Sequence, residues 1–180
     1  MNSCNDYWLA AAKHLPSPNC NQRPAETKIN LLVIHNISLP AGEFGNGCIE
    51  QLFTNCLDCN AHSSFAGLRD VHVSCHLLIS RDGEIIQFVP FNLRAWHAGT
   101  SQFDGREGCN DFSIGIELEG TDDCPYTEEQ YQALVAVSRQ LRQDYPAITL
   151  DNIVGHSDIA PGRKTDPGSA FDWERYLGNL

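Results

Sequence analysis

Seven histidines punctuate the chain, at positions 14, 35, 62, 72, 76, 97 and 156. Most histidines in a protein of this size are structural or merely solvated, so position has to select among them. His35 closes the apolar run INLLVIHN (29–36), and His156 stands where a second apolar run, 152–155, enters the segment GHSDIAPGRKTDPG. Strand ends at the mouth of a sheet are recurrent places for sites. In that segment Pro161, Gly162, Pro167 and Gly168 restrict the backbone around Lys164 and Asp166, which holds those two side chains in fixed positions.

Two histidines and an aspartate make a nitrogen, nitrogen, oxygen donor set suited to zinc (Zn2+), and three protein ligands leave a fourth tetrahedral position for water. Zinc lowers the pKa of bound water to about 7 and polarises a carbonyl. Such chemistry needs a carboxylate to take the proton. Glu117 lies on the polar face of SIGIELE (113–119), between the two histidine segments, and Glu119 shares that face and competes for the role. Lys164, two residues before Asp166, is a cation able to steady an oxyanion. No compact H-E-x-x-H motif fixes the ligands locally, so spacing alone leaves this constellation as one reading among several.

These residues are far apart in sequence, and only a sheet can bring them together. The run 29–36 is apolar on both alternating faces, which suits a strand in the middle of a sheet. CHLLIS (75–80) and EIIQFV (84–89) flank Arg81-Asp82-Gly83, a hairpin turn. SIGIELE alternates Ile114, Ile116 and Leu118 against Ser113, Gly115, Glu117 and Glu119. Thr127-Glu128-Glu129-Gln130 is a capping box, and Tyr131, Leu134, Val135, Leu141 and Tyr145 follow at helical spacing until Pro146. A last strand over 152–155 and a closing helix over 171–177 complete the series. The segment 38–70, rich in Gly, Asn and Cys, reads as a loop-rich functional insertion with one short helix over 49–54. The first 28 residues, with Pro16, Pro18 and Pro24, read as a helical start over 7–13 followed by an extended arm. The prediction is one domain over 1–180 of α/β (α+β) class, with a central mixed sheet flanked by helices and 1–28 as an N-terminal arm.

Composition narrows the partners. With 12 Lys+Arg against 23 Asp+Glu in 180 residues, the formal net charge is −11, which argues against nucleic acid and anionic membranes. Apolar stretches such as 29–34 are far shorter than the roughly 20 residues needed to cross a bilayer. The N-terminus lacks a basic segment followed by an apolar one, so a cytoplasmic location is expected. Eight cysteines in 180 residues are about 4%, below the roughly 8–10% of disulfide scaffolds, and they are expected to be mostly reduced. Cys56 and Cys59 form the single C-x-x-C, with no second pair to complete a four-cysteine zinc site.

Four collinear blocks, LLVIHNISLPAGEFG, HLLISRDGEIIQFVPFNLRAWHAG, CNDFSIGIELEG and GHSDIAPGRKTDPG, resemble the zinc-dependent N-acetylmuramoyl-L-alanine amidases of the type 2 family. The resemblance runs from about Trp8 to the C-terminus. It implies a fold related to peptidoglycan-recognition proteins, with a zinc groove at one edge of the sheet. It places the zinc ligands on His35, His156 and Asp166, the catalytic carboxylate on Glu117 and the oxyanion-stabilising cation on Lys164. The implied reaction is hydrolysis of the amide between the lactyl group of (1,6-anhydro-)N-acetylmuramic acid and L-alanine of the stem peptide, in cytoplasmic peptidoglycan recycling. The partner is then a small anhydromuropeptide substrate; oligomeric state is open, a monomer being favoured. The resemblance also puts Asn36, Trp96 and His97 along the substrate groove, with a core tryptophan in the WHAG turn as the alternative for Trp96. Family arginines near His72 and Gly108 are absent, and Arg69 and Arg106 stand nearby as substitutes. Two other readings compete: a muropeptide-binding module without catalysis, and an exported amidase with paired cysteines.

Overall fold

Alternation and burial decide the centre of the molecule. The structure is a computed structural model and describes residues 7–180. In chain order the elements are β1 (Lys13–His14), β2 (Cys20–Gln22), β3 (Leu31–Ile37), α1 (Cys48–Phe53), β4 (Leu77–Ile79), β5 (Ile85–Gln87), β6 (Leu93–Ala95), β7 (Gln102–Phe103), β8 (Arg106–Glu107), β9 (Ser113–Glu119), α2 (Glu128–Asp144), β10 (Ile153–Gly155), α3 (His156–Ile159) and α4 (Trp173–Gly178). Six strands form one mixed sheet in the order β1-β5-β4-β9-β3-β10. The pairs β4/β9, β9/β3 and β3/β10 are parallel, and β4/β5 is the antiparallel hairpin. The architecture is therefore the mixed α/β arrangement that the element pattern predicts. β3, flanked on both sides, buries Leu31, Leu32, Val33 and Ile34 completely.

Each face of the sheet has its own cover. Leu32, Ile34, Leu77, Ile79, Ile114, Ile116 and Leu118 pack against Tyr131, Leu134, Val137 and Leu141 of α2 and against Tyr176 of α4. Helix α2 starts at the predicted capping box: the Gln130 backbone N–H donates to Thr127 Oγ1, and the Thr127 N–H donates to Gln130 Oε1, each at 3.1 Å. On the opposite face Leu78 and Ile86 pack against Ile49, Leu52 and Phe53 of α1, and Leu31 and Val33 against Ala98, Cys109, Phe112 and Ile159. The site lies on this second face, between these two patches.

Two local expectations are corrected. Residues 7–13 form no helix; the chain turns there and runs along the edge of the sheet. Leu15 and Ser17 donate their N–H groups to the carbonyls of Gln87 and Phe88, each at 2.9 Å, while the Gln87 amide grips Leu9 N–H (2.6 Å) and the Tyr7 carbonyl (3.0 Å). A short uncapped helix is marginal, and an edge strand offers its backbone ready partners. The extended arm that follows is as expected: β2 pairs with β6, and the Arg23 guanidinium fastens the arm by donating to the carbonyls of Phe91, Asn110, Asp111 and Ser113. The second correction concerns His156, which opens the short helix α3 where a loop was expected.

The segment 38–70 holds α1 and a 3-10 turn over Ser63–Leu68, in keeping with its loop-rich reading. Cys4 lies outside the described residues, and the seven described cysteines are free thiols. Among the described residues no helix is long and apolar enough to cross a membrane.

Candidate active site

The parallel pairing of β3 with β9 sets His35 directly beside Glu117. The pairing of β3 with β10 sets Gly155 beside Ile34, so His156 leaves β10 next to the C-terminal end of β3. The chain then folds back: Lys164 N–H donates to the Ala160 carbonyl, and Ser157 N–H to the Asp166 carbonyl, each at 3.0 Å. Gly162 takes a left-handed φ of 77° inside this return, a conformation that favours glycine. The outcome is a triangle of ligand atoms. His35 Nδ1 and His156 Nδ1 lie 2.9 Å apart, and each is 3.0 Å from Asp166 Oδ2.

The protons of this triangle follow from its outer contacts. His156 Nε2 faces the carbonyl of Ala98 at 3.1 Å. A carbonyl can only accept, so Nε2 carries a ring proton, and the tautomer with that single proton presents its lone pair at Nδ1. Burial lowers the His35 pKa to about 4, outweighing the hydrogen bond to Asp166, so His35 is neutral. Burial alone would raise the Asp166 carboxyl, but its hydrogen bonds to His156 and His35 hold it well below the usual carboxylate range. Two imidazole nitrogens and a carboxylate oxygen aimed at one point are a donor set for a borderline divalent cation, and zinc bonds to such nitrogens and oxygens at about 2.0–2.2 Å. His35, His156 and Asp166 therefore fit a metal site.

Glu117 points into the same cleft. Its side chain is buried and Oε2 has no hydrogen-bond partner, a rare condition for a carboxylate oxygen. Burial pushes its pKa well above the usual range; the Asp166 charge adds to the shift and Lys164 opposes it. Glu119 is engaged elsewhere: it accepts from Gly45 N–H (2.6 Å) and Arg81 N–H (3.2 Å), tying the 38–47 loop to the hairpin. Of the two carboxylates on this strand face, Glu117 is the one with a free oxygen. Lys164 and Trp96 line a cleft of about 200 Å³ together with Glu117. Asn36, Ile37, Lys164 and Asp166 are shared with an adjoining groove of about 930 Å³.

Residues 25–169 match the N-acetylmuramoyl-L-alanine amidase family. The chain belongs to that family. It is 60% identical over 173 residues to the 1,6-anhydro-N-acetylmuramyl-L-alanine amidase AmpD of Enterobacter cloacae, covering 96% of this chain and 92% of that protein. The crystal structure of a selenomethionine derivative of AmpD superimposes with a TM-score of 0.94 at 58% identity, covering 96% of each chain. A complex of the N-acetylmuramyl-L-alanine amidase AmiD from E. coli with anhydro-N-acetylmuramic acid-L-Ala-D-γ-Glu-L-Lys matches at TM-score 0.63 and 33% identity, over 88% of this chain and 60% of that one.

In this amidase the remaining groove residues divide. Asn36 Nδ2 donates to Asp122 Oδ1 (2.8 Å) and to the Pro167 carbonyl (3.1 Å), on the wall common to cleft and groove. Trp96 is half-buried on the cleft wall, its Nε1–H held by Asn21 Oδ1 at 2.8 Å, so the core alternative does not describe it. His97 lines the same cleft, as the resemblance implies, with both ring nitrogens engaged within the protein. Its Nδ1 meets His35 Nε2 at 2.9 Å and its Nε2 meets Ser113 Oγ at 3.0 Å, which leaves neither ring nitrogen free for a ligand. Arg69 bonds Asn60, and Arg106 stacks on Phe112 at 3.8 Å; neither lines the cleft or the adjoining groove. Sequence reasoning missed Arg163, which donates to the carbonyls of Ala98 and Thr100 at 2.6 Å and lines the adjoining groove. An arginine in a Gly- and Pro-rich loop carries no pattern that reveals this contact.

Proposed function

We propose that this chain is a zinc-dependent amidase. It cleaves the bond between the lactyl carbonyl of 1,6-anhydro-N-acetylmuramic acid and the nitrogen of L-alanine in the stem peptide. The observation that carries the reading is the convergence of His35 Nδ1, His156 Nδ1 and Asp166 Oδ2 beside a buried carboxylate with an unpaired oxygen. The strong likeness to AmpD, and the fold shared with AmiD in complex with an anhydromuropeptide, give the substrate class.

His35, His156 and Asp166 would hold the metal, whose contribution when bound is Lewis-acid polarisation of the carbonyl and a water of pKa about 7. The chain's own residues do the rest. Glu117, buried and short of partners, takes a proton from the attacking water. The raised pKa suits it to hold that proton and then deliver it to the alanine nitrogen as the C–N bond breaks. The products are a lactyl carboxylate and a free amine. Lys164, on the cleft wall, steadies the charge that develops on the carbonyl oxygen. Asn36 and Trp96 line the approach, Asn36 with its amide fixed by Asp122 and Trp96 as a flat surface for the sugar.

The chain 1–180 works as one amidase domain, its arm joined to the main sheet by β1 and to β6 by β2. The reaction belongs to cytoplasmic peptidoglycan recycling. Buried thiols such as Cys75 and Cys109 suit a reducing compartment. Mass spectrometry of an anhydromuropeptide mixture, with and without chelator, tests bond, substrate and metal together. Release of free stem peptide that stops on chelation is the expected result; a zinc-loaded protein that leaves the mixture intact overturns the reading.

A further inference from the structure

The geometry points to the dipeptide His97–Ala98 as a positioning seat that orients both histidine ligands, one through the His97 ring and the other through the Ala98 carbonyl. The inference rests on the metal reading above and goes beyond it. His156 donates Nε2–H to Ala98 O, and His35 Nε2 lies 2.9 Å from His97 Nδ1. A neutral imidazole that offers Nδ1 to a metal carries its proton on Nε2, so His35 must donate to His97. His97 Nδ1 is then the acceptor, and its own proton sits on Nε2, directed at Ser113 Oγ. Outer partners of this kind fix the tautomer and tilt of a ligating ring.

The seat is built, and three observations show how. Asn110 Oδ1 accepts from both His97 N–H (3.0 Å) and Ala98 N–H (2.8 Å), so one buried side chain holds the two partners at once. The His97 ring rests on Gly115, where an added Cβ would stand 2.5 Å from His97 Cγ and Nδ1. Ser113, Gly115 and Glu117 are alternate residues on one face of β9. Along that face the strand anchors the His97 ring, makes room for it, and presents the site carboxylate.

The test is zinc affinity by chelator competition, read beside the melting temperature of each metal-free variant. His97→Phe keeps a ring over Gly115 and removes both nitrogens; about 10- to 100-fold weaker zinc binding is expected. His97→Asn returns an acceptor at the δ position and is expected to recover most of the affinity, whereas His97→Gln carries its amide one atom further out and is not. A packing role would rank the variants by bulk, with Gln and Phe ahead of Asn, and that order overturns the proposal. Asn110→Ala, which leaves every ring in place, is expected to weaken zinc as well; wild-type affinity in a folded Asn110→Ala protein also overturns it. In the zinc-loaded protein, nitrogen NMR should find His97 protonated at Nε2, and a proton at Nδ1 contradicts the seat. A wild-type chain that binds no zinc, or His35→Ala that binds it undiminished, overturns the metal reading itself and is recognised separately from these outcomes.

Discussion

The same strands present two different surfaces. Toward α2 and α4, β3, β4 and β9 contribute Leu32, Ile34, Leu77, Ile79, Ile114, Ile116 and Leu118, all apolar and all at or near full burial. Toward the cleft, β3 and β9 contribute His35, Ser113, Gly115, Glu117 and Glu119, which are also buried and sit beside the apolar Leu31 and Val33 of the same face. Burying one aliphatic side chain is worth about 1.5–3 kcal/mol, while a buried polar group left unpaired costs about 1–3 kcal/mol. The helix-covered face is thus able to stabilise a sheet whose other face keeps an unpaired carboxylate and two lone-pair nitrogens beside it. Stability and chemistry are divided by the alternation of single strands, one residue to each side.

That division can be broken or sharpened by experiment. Chelation, or His35→Ala, strikes the cleft face at its centre and is expected to abolish stem-peptide release, with the zinc content of the purified protein falling in parallel. Glu117→Gln should retain zinc and lower turnover by about 10²–10⁴-fold. Because it replaces a buried carboxyl that lacks a partner, it should also raise the melting temperature of the metal-free protein; a fall there would show that Glu117 is structural. Lys164→Ala should reduce kcat by about 10²–10³-fold without loss of metal. On the other face, Leu134→Ala is expected to lower unfolding stability by about 2–5 kcal/mol while the folded fraction turns over at the wild-type rate. A loss of turnover per folded molecule would mean that the faces are coupled. The smallest effect belongs to Cys56→Ser: Cys56 is exposed, with its Sγ on the Thr54 carbonyl, and unchanged activity and stability are expected. Titration of the denatured, unreduced wild type should return eight thiols, the number of cysteines in the sequence.

Much of the scaffold was legible because its signals are local. The capping box at Thr127, the Asp82-Gly83 turn and the alternation in 113–119 each act over a few residues, and α2, the β4/β5 hairpin and β9 appear where those signals lie. The helix expected over 7–13 failed for the complementary reason. Its fate depended on the Gln87 side chain and the edge of β5, some 80 residues away, which no local window contains.

The site shows the same boundary. Sequence by itself supplied the donor types at strand ends, the carboxylates on one strand face and the cation in a restrained loop, because residue type and alternation are properties of short segments. Tertiary structure decided which groups meet. His35 joins His156 and Asp166 across 121 and 131 residues, Glu119 is drawn off to Gly45 and Arg81, and His97 meets the outer nitrogen of His35. Hydrogen-bond reach is about 3 Å, and only the register between strands places atoms to that tolerance.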